Sequence, residues 1–303
     1  MGINIFILAF ILSMIFILIL RRIFLFSPVK NTRFVLEKDN RKIVKLGGLT
    51  LFLALSLTGL SGLAKPLFSN SLALTIYLSA SLVLILGILD DFLELKVWQK
   101  FLGELVIALL FISISGMTTE IVFLPKSINF VLTLIWILGI TNAFNLLDIQ
   151  DGLAMGVSFL ISLAFLYLAY IGGNFLVGIF AIILAGSLLA VLVFNFPPAK
   201  IYLGDSGSLF LGFIFSILAI SISYAKSAHE AALLSPIFIL GFPIYDTVFV
   251  SLMRLSQDKP VFIKTDDHFI LRLIAVGKKK TPALFTCYLM TVCLLYTSPS
   301  PRD

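Results

Sequence analysis

Ile3-Asn4-Ile5-Phe6-Ile7-Leu8-Ala9-Phe10-Ile11-Leu12-Ser13-Met14-Ile15-Phe16-Ile17-Leu18-Ile19-Leu20-Arg21-Arg22 decides the class of fold. From Ile3 to Leu20 the run carries no charge, and about 20 such residues in a helix cross the hydrocarbon core of a bilayer. A cleaved leader would place its basic residues before the apolar run and small residues at a cleavage site after it. Here Arg21 and Arg22 follow the run, which predicts a retained transmembrane helix.

Comparable runs recur along all 303 residues, of which 60% are hydrophobic and 13% charged, a balance that excludes an ordinary soluble domain. They predict about ten helices, near 3–20, 46–63, 72–89, 101–116, 128–144, 154–171, 175–194, 208–223, 233–252 and 283–296. The intervening loops then alternate between two sides. Of the 22 basic residues, 18 fall in the loops 21–45, 90–100, 145–153, 195–207 and 253–282. The other side holds only Lys65, Lys126 and Lys226, with Arg302 in the tail. The positive-inside rule makes the basic side cytoplasmic and the N-terminus external. The expectation is an all-α, polytopic integral membrane bundle, a single domain over residues 1–296. Residues 297–303 read as a non-native or truncated tail. The net charge of +6 is accounted for by this orientation, and no nucleic-acid partner is expected. Cys287 and Cys293 share one apolar run, without Cys or His partners at metal-ligand spacing.

Four acidic clusters interrupt the apolar runs, and all lie in the cytoplasmic set: Asp90-Asp91, Asp148 with Asp151, Asp205, and Asp266-Asp267-His268. A transporter would hold its ionisable residues near mid-membrane, on broken helices. Carboxylates gathered at one interface instead suit an enzyme that joins a soluble substrate to a lipid-borne one. Asp90-Asp91 is either a solvated helix end or half of a site for a hard cation such as Mg²⁺. In Thr141-Asn142-Ala143-Phe144-Asn145-Leu146-Leu147-Asp148-Ile149-Gln150-Asp151-Gly152, polar residues recur every three positions along one face of a helix end. Interhelical hydrogen bonding explains one or two of these residues but not four. In Asn195-Phe196-Pro197-Pro198-Ala199-Lys200…Gly204-Asp205-Ser206-Gly207-Ser208, a Gly/Ser turn opens a helix. Its free N–H groups suit a phosphate, although Asp-Ser-Gly is also an ordinary N-cap. In the last loop His268 reads as a general acid, a phosphate ligand or a plain polar residue, while Arg254, Lys259 and Arg272 offer charge to a diphosphate. His229, beside Glu230 on the outer side, reads as solvated.

With these motifs in this order, from about Lys45-Leu46-Gly47-Gly48 to Lys278–Lys280, the chain resembles the polyprenyl-phosphate N-acetylhexosamine-1-phosphate transferases of glycosyltransferase family 4. The motifs are closer to the GlcNAc-1-phosphate branch than to the phospho-MurNAc-pentapeptide branch. The resemblance implies that a polyprenyl phosphate attacks the β-phosphate of a UDP-HexNAc with the help of Mg²⁺ (Mn²⁺ as an alternative), releasing UMP. It implies membrane lipid as surroundings, admits a homodimer, and places the chain in a bacterial cytoplasmic membrane with its site on the cytoplasmic face. By position, Asp90, Asp91 and Asp205 are implied as catalytic, with Asp205, Asp91 and Asp151 at the metal. Lys45, Asn142, Asn145, Asp148, Asp151, His268 and Arg272 are implied to bind substrate. Two departures stand out: Ile149 replaces the usual glycine after Asp148, and Leu271 occupies a position where the family carries a further histidine. A family member that binds substrate but turns it over poorly is the alternative these departures raise.

Overall fold

The computed structural model describes residues 2–26, 34–38, 41–64, 66–119, 121, 124–222, 235–258 and 267–297. Lys30, Arg33, Lys65, Glu120, Lys226, His229, Glu230, Lys259, Lys264, Asp266 and the tail from residue 298 lie outside them. The main helices are α1 (Gly2–Phe26), α2 (Gly47–Leu60), α4 (Ser71–Leu93), α5 (Val97–Ser115), α6 (Lys126–Leu147), α7 (Leu153–Gly172), α8 (Phe175–Asn195), α9 (Gly204–Ser221), α11 (Gly241–Leu255) and α13 (Lys280–Tyr296). Short helices α3 (Pro66–Ser69), α10 (Ser235–Ile239) and α12 (Phe269–Ala275) fill the connections.

Each of the ten apolar runs thus falls on a helix, the ninth divided between α10 and α11. Among the described residues, seven helices, α1 and α4 to α9, are long and apolar enough to cross a membrane, while α2 and α13 are shorter apolar helices. The chain is a polytopic helical membrane protein. Their termini follow local chemistry. Asn70 and Asn174 accept from the backbone N–H groups of Ala73 and Val177 and so cap α4 and α8. Left-handed Gly116 and Gly173 close α5 and α7.

One feature departs from an all-helical reading. Val35–Lys38 (β1) pairs antiparallel with Arg41–Lys45 (β2), and β2 pairs parallel with Ile201–Tyr202 (β3). Hydropathy of a span length cannot reveal so short a hairpin. Its β-branched Ile43 and Val44 are buried against the bundle. The β2–β3 pairing sets Lys45 opposite Tyr202, just before α9.

α9 is the central helix. It packs on α2, α4 and α6, and nearly all its residues are buried, whereas α1 leaves Ile3, Ile7, Ile11 and Leu18 exposed toward lipid. Small residues allow that centrality, because backbones must approach closely where lipid tails supply no net hydrophobic drive. At Gly87 of α4, a Cβ would lie 2.4 Å from the Ser206 Cα. Gly87→Ala should therefore destabilise the bundle by about 1–3 kcal/mol, as overpacking does. Gly139→Ala on α6, where a Cβ meets nothing within 4 Å, should be neutral or stabilising. Paired thermal-unfolding curves in detergent check both.

Candidate active site

Four helix ends and one strand end meet at one end of the bundle. The last turn of α4 carries Asp90 and Asp91, the first turn of α5 carries Lys100, and the last two turns of α6 carry Asn142 and Asn145. The first turn of α9 carries Asp205, and β2 ends on Lys45.

Lys100 is the hub of this cluster. Its Nζ lies 2.7 Å from Asp90 Oδ2 and 2.6 Å from Asp205 Oδ1. With the Asn145 amide oriented by its neighbours, its nitrogen donates to Asp205 at 2.8 Å and its oxygen accepts from Lys100 at 2.9 Å. The backbone N–H of Leu95 donates to Asp90 Oδ1 at 2.9 Å and folds the α4–α5 turn around the carboxylate.

Asp91 has a different task from its neighbour. Its buried carboxylate accepts from the N–H groups of Asp205 (3.2 Å) and Ser206 (3.1 Å), and Lys45 Nζ stands 3.3 Å away. This corrects the expectation that the Gly204–Ser208 turn offers those N–H groups to a phosphate. The anion at the start of α9 is Asp91, stabilised by the positive end of the helix dipole.

The Asn/Asp motif divides over three neighbours. Asn142 donates to the buried carboxylate of Glu104 and to the Leu138 carbonyl, and Asn145 joins the Lys100 cluster. Half-buried Asp148 follows α6, where desolvation and then nearby Asp205 and Asp91 push its carboxyl up to about 7, against the Gly204 N–H and Lys45. Asp151 accepts from the Ala199 N–H at 3.1 Å. Asn195 completes that link, accepting from Gly152 N–H and donating to the Ile201 carbonyl, both at 2.8 Å. The missing glycine after Asp148 does not prevent the turn: Gly152, at φ +83°, supplies the left-handed residue that opens α7.

His268 and Arg272 form a second group. The His268 ring bonds Asp246 of α11, and Arg272 pairs with Asp267 at 3.1 Å. The bond of His268 runs to Asp246 and not to the Lys100 cluster. Leu271 packs against the apolar core.

The donor set fits a hard cation in part. Mg²⁺ favours oxygen ligands and is commonly held by one or two carboxylates plus substrate phosphates. Asp90 and Asp205 fit, since their oxygens converge on a single cationic point, the Lys100 ammonium. Asp91 and Asp151, both expected at the metal, are engaged by backbone N–H groups. Among the described residues, no three His, Cys, Asp or Glu side chains form a ready metal cage. An ion at this cluster would complete its shell with oxygens from water or substrate.

The sequence model for glycosyl transferase family 4 matches residues 73–223. A Bacillus subtilis (strain 168) protein named "probable undecaprenyl-phosphate N-acetylglucosaminyl 1-phosphate transferase" is 34% identical over 295 residues, covering 93% of this chain and 81% of the relative. The chain belongs to glycosyl transferase family 4. It is a member of the polyprenyl-phosphate sugar-1-phosphate transferases within it. The phospho-N-acetylmuramoyl-pentapeptide-transferase of Staphylococcus aureus (strain JH9) is 31% identical over 264 residues, 79% of each chain. The matched segment 73–223 runs from α4 to α9 and so contains Asp90, Lys100, Asn145 and Asp205. The His268 group lies beyond it.

Sequence reasoning assigned no site role to Lys100, Glu104 or Asp246. The first two stand one turn apart near the start of an otherwise apolar helix, ten and fourteen residues after Asp90. Charge retained there was the available signal: Lys100 was counted only for topology, and Glu104 was given no reading.

Proposed function

We propose that this transferase passes an N-acetylhexosamine-1-phosphate, GlcNAc-1-phosphate in the first instance, from a UDP-sugar to undecaprenyl phosphate. UMP leaves, and the lipid product initiates a cell-envelope polysaccharide. The single observation that carries the reading is the convergence of Asp90, Asp205 and Asn145 on the Lys100 ammonium, at one end of a membrane bundle. The name of the Bacillus subtilis relative supports GlcNAc as the sugar. The excess of basic residues in the same loops supports a cytoplasmic face in a bacterial inner membrane.

In the step itself, an oxygen of the lipid phosphate bonds to the β-phosphorus of the UDP-sugar. The bond from that phosphorus to the bridging oxygen breaks, and UMP departs with the electron pair. Such a transfer asks mainly for positioning and charge neutralisation. Lys100 and Lys45 neutralise phosphate oxygens from the α5 and β2 side, and Arg272 does so from α12. Asn145 fixes Asp205 against Lys100, and Asp91 locks the start of α9 so that Asp205 keeps its place. Mg²⁺ held by Asp205 and Asp90, with Asp148 close by, would supply Lewis-acid stabilisation when bound.

Grouping of the charges at one bundle end argues against a transporter. UMP release that requires both UDP-GlcNAc and undecaprenyl phosphate tests the proposal. Loss of transfer with binding retained would select the impaired-member reading, which Leu271 favours. Leu271→His is expected to raise turnover several-fold, and steady-state kinetics on equal amounts of folded protein would show it.

A further inference from the structure

We propose that Asp246 is a positioning residue for the transfer: it fixes the proton of His268 on Nδ1 and leaves Nε2 as the ring atom that meets the sugar nucleotide. The inference rests on the transferase reading only for what Nε2 meets. The protonation it assigns follows from the pair alone.

Both residues are 2% exposed, Asp246 in mid-α11 and His268 immediately before α12. His268 Nδ1 lies 2.8 Å from Asp246 Oδ2, and the Phe269 backbone N–H donates to Oδ1 at 3.0 Å. The backbone group can only donate, so it pins Oδ1 and turns Oδ2 to the ring. An ionised carboxylate can only accept, so Nδ1 carries the proton. The partner of one ring nitrogen sets the state of the other, and a neutral ring then offers Nε2 as an acceptor. Once protonated, the same atom donates to an anion. The ring has little freedom to turn away, because Phe269, next in the chain, is wedged edge-on against Tyr245 and Phe249 of α11.

The same geometry dictates what an amide would do. In Asp246→Asn the Phe269 N–H selects the amide oxygen, which leaves the amide nitrogen facing Nδ1. That nitrogen donates, so the ring proton must move to Nε2, which turns from acceptor to donor. A near-isosteric change thus inverts the histidine without removing its hydrogen bond.

The chain contains two histidines, so ¹⁵N-histidine labelling of the whole protein in detergent gives two ring systems, and His268→Gln assigns them. The wild-type His268 ring is expected to be protonated on Nδ1, and Asp246→Asn is expected to move that proton to Nε2. UMP release should fall on the order of 10- to 100-fold in Asp246→Asn, by analogy with the loss of the outer hydrogen-bond partner of a metal-bound histidine. The Asp246→Asn/His268→Gln pair should lose no more than His268→Gln alone. A purely structural role would also move the ring proton and lower thermal stability, but would leave UMP release per folded molecule unchanged in Asp246→Asn. A bare Nδ1 in the wild type, an unmoved proton in Asp246→Asn, or full turnover in either single variant overturns the proposal. The wild-type spectrum decides the ring state even if a variant folds poorly. Absence of UMP release from the wild type would instead defeat the transferase reading, and the ring signals would still decide the Asp246 assignment.

Discussion

Asp205→Asn is expected to cut UMP release by about 10²- to 10³-fold, the range for removing one preorganised electrostatic group from a transfer site. The fold should survive the change. The start of α9 is held through backbone N–H groups bound to Asp91, and the Asp205 side chain takes no part in that contact. The asparagine loses the charge that faces Lys100 at 2.6 Å and with it the carboxylate best placed to share an ion with Asp90. Turnover and thermal unfolding measured on the same preparation separate the two effects. Wild-type turnover in Asp205→Asn would remove this residue from the site.

Lys100→Met should be nearly as damaging, for a different reason. It deletes the cation between two carboxylates and leaves Asp90 and Asp205 facing each other. Stability should drop by roughly 1–3 kcal/mol, less than for a fully buried pair, because these side chains still reach some solvent. Turnover should fall by about 10²-fold or more. Lys100→Arg is not expected to restore it, since a planar fork cannot replace a compact point charge set between two acceptors. Millimolar Mg²⁺ should raise the unfolding temperature of Lys100→Met more than that of the wild type, because the freed carboxylates would gain a cation. An equal shift in both proteins would argue against a shared Asp90–Asp205 ion position.

Much of this was legible in the chain because a bilayer is a severe solvent. Each apolar run had to become a helix, and every retained carboxylate needed a helix end or a partner. That reasoning put Asp90, Asp91, Asn145 and Asp205 into one neighbourhood, where they lie. It could not distribute their roles. Asp90 and Asp91 are adjacent in sequence, yet a helix points adjacent residues about 100° apart, so one turns to Lys100 and the other to the backbone of α9. The same blindness hid Lys100, whose value comes from two carboxylates 10 and 105 residues away in sequence. The β1–β2 hairpin escaped notice because a few buried β-branched residues carry no signal at the scale of a membrane span. His268 was found from its loop and Asp246 was grouped with that loop, but their pairing becomes visible only once α11 and α12 are packed together.

The most direct measurement is UMP release by the purified protein from UDP-GlcNAc in mixed micelles, with undecaprenyl phosphate and Mg²⁺ each present or omitted. The account predicts release that needs both additions and is lost in Asp205→Asn. No release from well-folded protein with any UDP-HexNAc, or release indifferent to the lipid phosphate, would contradict it.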